Sequence, residues 1–113
     1  MKGSCHCGNV QYTVDGAPTE VMSCNCSICQ RKGALMWFVP RDQFHLQTPE
    51  SHTRSYTFHK HAIQHRFCEA CGIHAYAEGT GPGGKDVACI NVRCLEGIDL
   101  DALPVKHYNG RSR

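Results

Sequence analysis

Cysteine spacing constrains this chain more than any other feature of its sequence. Of nine cysteines, seven lie in three short motifs: Cys5-x-Cys7, Cys24-x-Cys26-x-x-Cys29 and Cys68-x-x-Cys71. Seven thiols cannot all pair into disulfides, but they divide into a set of four and a set of three. Four thiolates close a tetrahedral zinc site, whereas three leave one position for water or a substrate. We therefore expect one metal that holds the fold and a second that can do chemistry.

Size and charge set the remaining limits. The chain has 113 residues, which predicts a single domain, 1–113. A structural zinc would help such a small domain, since it can supply roughly 10–16 kcal/mol of apparent binding energy on folding.

The net charge of +2 comes without a run of Lys or Arg, so we expect neither a nucleic-acid nor a membrane partner. No apolar run has the length of a signal peptide or a membrane span. A cytoplasmic location, where clustered cysteines hold metal rather than disulfides, is the expectation.

Strand patterns dominate the sequence and predict a mostly β fold. Alternation predicts strands at 10–14 and 44–46, at Tyr56 and Phe58, and over 63–67. Apolar runs predict strands over 34–39, buried on both faces, and over 87–92. Only 27–32 and 95–103 have the composition of short helices or turns.

The first and third motifs form the expected structural site. In Cys68-Glu69-Ala70-Cys71-Gly72, two thiols flank a turn whose glycine can adopt the backbone angles needed, as in a zinc knuckle. Cys5-His6-Cys7-Gly8 supplies the second pair. We call Cys5, Cys7, Cys68 and Cys71 the four-thiol group. A redox pair is an alternative, but it lacks the α/β setting of the thioredoxin type. An iron–sulfur cluster is the main competing metal assignment.

The middle motif forms the expected second site. We call Cys24, Cys26 and Cys29 the three-thiol group. Three thiolates on Zn²⁺ leave a net charge of minus one, which favours binding an incoming thiol as a thiolate over activating water. The group keeps an open position unless Cys89 or Cys94 joins it, and both are interpreted more simply as small buried apolar residues.

Charged residues near the second site have two interpretations. Arg31 and Lys32 either offset the thiolate charge and hold an acidic substrate, or lie on a solvated turn. His59, His61 and His65 are predicted to lie along a strand edge and its hairpin partner. There they either bind a metal or serve as ordinary exposed polar side chains.

With these motifs in place, the chain resembles the glutathione-dependent formaldehyde-activating enzyme family, which includes centromere protein V. The resemblance rests on 5–8, on Cys24-Asn25-Cys26-Ser27-Ile28-Cys29, on 66–72, on Asn91-Val92 and on the ending from Pro104 to His107. It spans nearly the whole chain.

The resemblance implies a β-tent fold, in which small antiparallel sheets lean together and are clamped by zinc. It also implies two zinc ions per chain, the structural one on the four-thiol group and the catalytic one on the three-thiol group. The implied reaction is that of a carbon–sulfur lyase, which joins formaldehyde to the glutathione thiol and gives S-(hydroxymethyl)glutathione. The partners would be a small thiol and an aldehyde. The alternative is a non-catalytic zinc-binding scaffold for a protein partner, since fold alone does not determine function.

Overall fold

The computed structural model describes residues 1–112, with all side chains in that range except those of Pro82 and Ser112. Strands account for most of the regular structure, so the prediction of a mostly β fold is confirmed. The strands and the one α-helix are β1 (Lys2–Ser4), β2 (Gln11–Val14), β3 (Val21–Cys24), α1 (Ser27–Lys32), β4 (Met36–Pro40), β5 (Phe44–Leu46), β6 (Thr53–Tyr56), β7 (Ile63–Cys68), β8 (His74–Thr80), β9 (Asp86–Asn91) and β10 (Val105–Tyr108). Short 3-10 turns join several of them. No helix among these described residues is long and apolar enough to cross a membrane.

The strands form two sheets. The smaller has three strands in the order β1-β2-β5, and the larger has seven in the order β10-β3-β4-β9-β8-β7-β6. All neighbouring strands are antiparallel except β10 and β3, which run parallel with Tyr108 opposite Cys24. This parallel pair brings the C-terminal segment beside the three-thiol group.

The main core lies between the two sheets. Tyr12 and Phe44 from the small sheet meet Tyr76 from the large one, with ring centroids 4.5–6.2 Å apart. The alternation of β2 explains the placement, because Tyr12 and Val14 are buried while Gln11 is exposed. Burial of each large apolar side chain contributes about 1.5–3 kcal/mol. A Cβ on Gly3 would lie 2.5 Å from the Tyr12 ring, so only glycine lets β1 approach this core.

A second, smaller core lies beneath α1. Its buried members are Cys29, Ala34, Met36, Ala77 and Cys89. The helix ends at Gly33, whose φ of 66° is left-handed and whose N–H donates to the Cys29 carbonyl over 2.9 Å. The prediction of a short helix or turn over 27–32 is thereby confirmed.

Several strand predictions need correction. Phe38 is 50% exposed, so the run over 34–39 is not buried on both faces. Phe58 lies beyond the end of β6. His59 and His61 lie in the turn between β6 and β7 with φ values of 57° and 54°, and not along a strand edge. Strands β1, β3, β8 and β10 were not predicted.

Candidate metal centres

The structure brings the four-thiol group together at a junction between the two sheets. Its four sulfur atoms lie within 4.8 Å of one another. Cys7 Sγ is 3.7 Å from Cys5 Sγ and 3.6 Å from Cys68 Sγ. Cys5 directly follows β1 of the small sheet, whereas Cys68 is the last residue of β7 in the large sheet. An ion held here would therefore tie one sheet to the other.

Backbone N–H groups of the two turns point at these sulfur atoms. The Val10 N–H donates to Cys5 Sγ over 3.3 Å, and the Ala70 and Cys71 N–H groups donate to Cys68 Sγ over 3.3 and 3.4 Å. Burial disfavours a charged sulfur at Cys71. Hydrogen bonds from backbone N–H groups, led by that of Ile73, nevertheless lower its pKa to about 6. The turn that carries Cys68 and Cys71 is thus arranged to stabilise thiolates, the ligand form that zinc binds.

The three-thiol group is also assembled, within a single segment. Cys24 ends β3, Cys26 precedes α1 and Cys29 lies inside the helix. Their sulfur atoms again lie within 4.8 Å of one another. Of the described residues 1–112, no fourth His, Cys, Asp or Glu side chain shares this sphere. The arrangement offers a metal three soft ligands and leaves its fourth position to another molecule.

The pKa values of two thiols in this group are shifted in opposite directions. Burial opposes ionisation of Cys26, but N–H groups of Cys29 and Ile28 at the start of the helix lower its pKa overall. The Cys26 N–H in turn donates to Cys24 Sγ over 3.4 Å. Burial, together with the neighbouring Cys26 thiol, raises the pKa of Cys29 to about 12. Binding of a metal ion would release the protons of these three neighbouring thiols.

The two remaining cysteines lie outside both groups. Cys89 is buried in the small core beneath α1, and burial raises its pKa to about 12. Cys94 is half-buried, and its thiol donates to the His74 carbonyl over 3.8 Å. The interpretation of Cys89 as a small apolar residue fits this environment.

The C-terminal segment lies directly against the three-thiol group. A Cβ at Gly110 would lie 2.6 Å from Cys24 Sγ and 2.8 Å from Cys26 Cβ, so a larger residue here would displace the segment or the thiols. Asn25 holds the segment by accepting from the Arg111 N–H over 3.2 Å and donating to Asn109 Oδ1 over 3.0 Å. Gly110 was not predicted, because its role depends on the β3–β10 pairing, which leaves no local sequence pattern.

A cavity of about 730 Å³ opens beside the three-thiol group. Its walls come from the start of α1, from the turn between β6 and β7, from the first residues of β7 and from the C-terminal segment. The lining residues are Cys26, Ser27, Phe58, His59, Lys60, Ala62, Ile63, His65, Gly110 and Arg111. A smaller cavity of about 400 Å³ shares Ser27 and Phe58 with it and is also lined by Arg31 and Lys32. None of the residues that line either cavity is acidic, so both favour an anionic ligand.

The two basic residues that follow the group have different environments. Arg31 is exposed, and its guanidinium donates to the Ser27 carbonyl of its own helix over 2.8 Å. Lys32 is half-buried, and its Nζ lies 3.3 Å from His65 Nδ1 and 3.1 Å from His74 Nε2. Burial, reinforced by the Lys32 charge, lowers the pKa of His65 to about 4 and that of His74 to about 3. The solvated-turn interpretation therefore suits Arg31 but not Lys32.

Comparison with known proteins gives two findings. Residues 1–108 match the family model described as glutathione-dependent formaldehyde-activating enzyme. The fold is also similar to the crystal structure of a Rhodobacter sphaeroides protein. That similarity has a TM-score of 0.80 at 27% sequence identity and covers 94% of this chain and 100% of the other.

Proposed function

This chain belongs to the glutathione-dependent formaldehyde-activating enzyme family, and from that membership we propose that it is a zinc-dependent carbon–sulfur lyase. The reaction would add a small anionic thiol such as glutathione to an aldehyde such as formaldehyde. One observation about the three-thiol group supports this proposal most directly. The three-thiol group has no fourth side-chain ligand among residues 1–112, and it borders a cavity whose charged residues are all basic.

The proposal assigns zinc to both groups and treats 1–113 as one β-tent domain in the cytoplasm. The donor sets fit this metal, because thiolates are soft ligands and backbone N–H groups already point at several of the sulfur atoms. The four-thiol group would hold the structural ion between the sheets. The three-thiol group would hold the second ion beside the cavity.

A zinc ion on the three-thiol group would supply an open coordination position that lowers the pKa of an incoming thiol. The chain's own residues would bind and orient the rest of the substrate. Lys60 and Arg111 line the cavity and would attract carboxylates of the thiol. Phe58 and Ile63 line the same cavity with apolar surface and would limit the access of water. The cavity volume of about 730 Å³ lies in the range that small-molecule sites usually have.

The test is the exchange of formaldehyde with glutathione, followed by NMR exchange spectroscopy at equilibrium. Because the two compounds also combine without a catalyst, the comparison is with the protein-free rate. We expect exchange at least about tenfold faster with the metal-loaded protein, which corresponds to a barrier lower by about 1.4 kcal/mol. A rate equal to the protein-free rate would reject the proposal.

Metal analysis distinguishes this enzyme from the scaffold alternative. Two zinc ions per chain, one of which changes its coordination when glutathione is added, are expected of the enzyme. Cobalt substitution makes this visible, because the absorption spectrum of Co²⁺ responds to a fourth sulfur ligand. One firmly held ion with no response to thiol is expected of a scaffold.

A further inference from the structure

Lys32 fixes the hydrogen-bonding roles of two histidines. Its Nζ lies 3.3 Å from His65 Nδ1 and 3.1 Å from His74 Nε2. A lysine ammonium has only donors, so both ring nitrogens that face it must be unprotonated acceptors. Each neutral imidazole then carries its proton on the other nitrogen. That nitrogen is Nε2 in His65 and Nδ1 in His74.

The backbone of His74 is held in place by a neighbouring strand. The backbone carbonyl of His74 accepts from Asn91 Nδ2 over 2.9 Å, which anchors this residue to β9. Lys32 therefore contacts, on one side, a histidine whose backbone is anchored within the large sheet.

His65 differs from His74 in that it lies at the candidate site. It lines the 730 Å³ cavity together with Cys26 of the three-thiol group. Its Nε2 has no hydrogen-bond partner among residues 1–112, whereas its Nδ1 is engaged by Lys32. The Phe58 ring stacks on the imidazole with centroids 5.6 Å apart and an interplanar angle of 27°. The structure thus places a residue with one unpaired ring N–H at the wall of the cavity that borders the three-thiol group.

We propose that His65 is a catalytic residue whose Nε2–H donates a hydrogen bond to the carbonyl oxygen of the aldehyde. Lys32 is then a positioning residue that fixes the His65 tautomer. This inference rests on the proposed function and deepens it by naming the group that faces the second substrate. A neutral imidazole is suited to this role because it donates a hydrogen bond without competing for the thiol's charge.

The reaction step balances without another reagent. The thiol releases its proton on binding, and a lone pair of its sulfur forms the new C–S bond to the carbonyl carbon. The π electrons of the C=O bond move onto the oxygen, where the His65 N–H stabilises the developing negative charge. The oxygen then takes one proton from water, which replaces the proton that the thiol released. His65 keeps its own proton throughout.

The first arm of the test reads the tautomers directly. Long-range ¹H–¹⁵N spectra of the zinc-loaded wild-type protein at pH 7 should show His65 protonated on Nε2 and His74 protonated on Nδ1. In Lys32→Met, the His65 signals should shift toward a mixture of both tautomers. A wild-type His65 protonated on Nδ1 would overturn the proposal regardless of any activity.

The second arm is kinetic and uses a matched pair of variants. Glutamine places an amide N–H near the position of imidazole Nε2, whereas phenylalanine keeps the ring shape and removes the donor. We expect His65→Phe to lower kcat by about 10²–10³-fold with the KM for the thiol changed less than about threefold. His65→Gln should retain kcat within about tenfold of the wild type. Zinc content and backbone spectra away from the site check that both variants keep the fold.

The outcomes separate this inference from the proposed function. If the wild type does not accelerate exchange, both are overturned. If the wild type is active and His65→Phe matches it, only the role of His65 is overturned. Equal losses in His65→Phe and His65→Gln would show that His65 acts through packing, which also overturns the inference.

Discussion

The two cysteine groups use the same chemistry in opposite structural settings. The four-thiol group joins segments that are far apart in sequence, since Cys7 and Cys68 are separated by 61 residues. It also connects the end of a small-sheet strand to the end of a large-sheet strand. The three-thiol group lies wholly within 24–29 and packs against Gly110 at one edge of the fold. The first arrangement restrains the whole chain, while the second shapes one local segment.

This contrast explains how one small domain can combine a rigid site with a reactive one. A long-range crosslink removes much of the conformational freedom of the unfolded chain, so its loss affects the entire fold. A local cluster contributes little to global stability, which allows its ligand set to stay incomplete. Since the sheets share an aromatic core independent of the three-thiol group, the fold can hold the open site in place without depending on its ion.

The largest expected effect is that of Cys68→Ser. The substitution removes a buried ligand from the four-thiol group. A structural zinc can supply roughly 10–16 kcal/mol of apparent binding energy, which is comparable to the entire unfolding free energy of a typical domain. We expect an unfolded or insoluble protein, measured by near-UV circular dichroism and by solubility. The control is Glu69→Gln in the same turn, which should fold normally. A soluble Cys68→Ser protein with a cooperative melt close to that of wild type would contradict the clamp assignment.

Cys26→Ser should have a large effect on chemistry and a small one on folding. We expect zinc content to fall from two ions to one per chain, with loss of formaldehyde–glutathione exchange and a retained cooperative melt. Elemental analysis, the exchange rate and thermal unfolding check these three outcomes. Cys94→Ser is the matched control, because Cys94 is also half-buried but lies outside both groups. If Cys94→Ser loses the second ion as well, the three-thiol group is not the complete protein ligand set.

Much of the candidate site was predictable from sequence because cysteine spacing is local and chemically specific. The motifs identified which thiols would meet, and the structure places each set within 4.8 Å. The cavity was not predictable, since its walls come from α1, the β6–β7 turn and the C-terminal segment. The roles of Gly110 and Lys32 depend on tertiary contacts in the same way. Metal occupancy and identity stay predictions.

The fold was predictable only where side chains alternate clearly. Strand β2 has that alternation, and it was found. Strand β8 was missed because its residues Ala75, Ala77, Glu78 and Gly79 are of types depleted in strands, and its stability comes from pairing with β7 and β9 on both sides. Strand β10 was missed because all four of its residues are exposed and show no period. Its partner β3, also missed, has a buried residue only at its first position.

Gly110→Ala should have an intermediate effect confined to the second site. The new Cβ would lie 2.6 Å from Cys24 Sγ, so either the C-terminal segment or the thiol must shift. We expect at least about tenfold weaker affinity for the second ion, equivalent to about 1.4 kcal/mol, with the first ion retained. Competition with a chromophoric chelator measures both affinities. Lys106→Ala, an exposed position on β10, is the control. Unchanged affinity in Gly110→Ala would show that the segment yields without disturbing the thiols.

A small expected change in stability sharpens the comparison most, because it is shared by two cysteines with the same exposed fraction. Cys29 and Cys89 are each 8% exposed and belong to the same small core beneath α1. Replacing either with alanine removes one buried sulfur, which should cost about 1 kcal/mol of unfolding free energy and lower the Tm by a few degrees. Only Cys29→Ala should also lose the second zinc ion, because Cys89 lies outside the three-thiol group. Paired thermal melts and zinc analyses of the two variants test this. Loss of that ion in Cys89→Ala would make Cys89 a fourth ligand and remove the open position on which the proposed thiol chemistry depends.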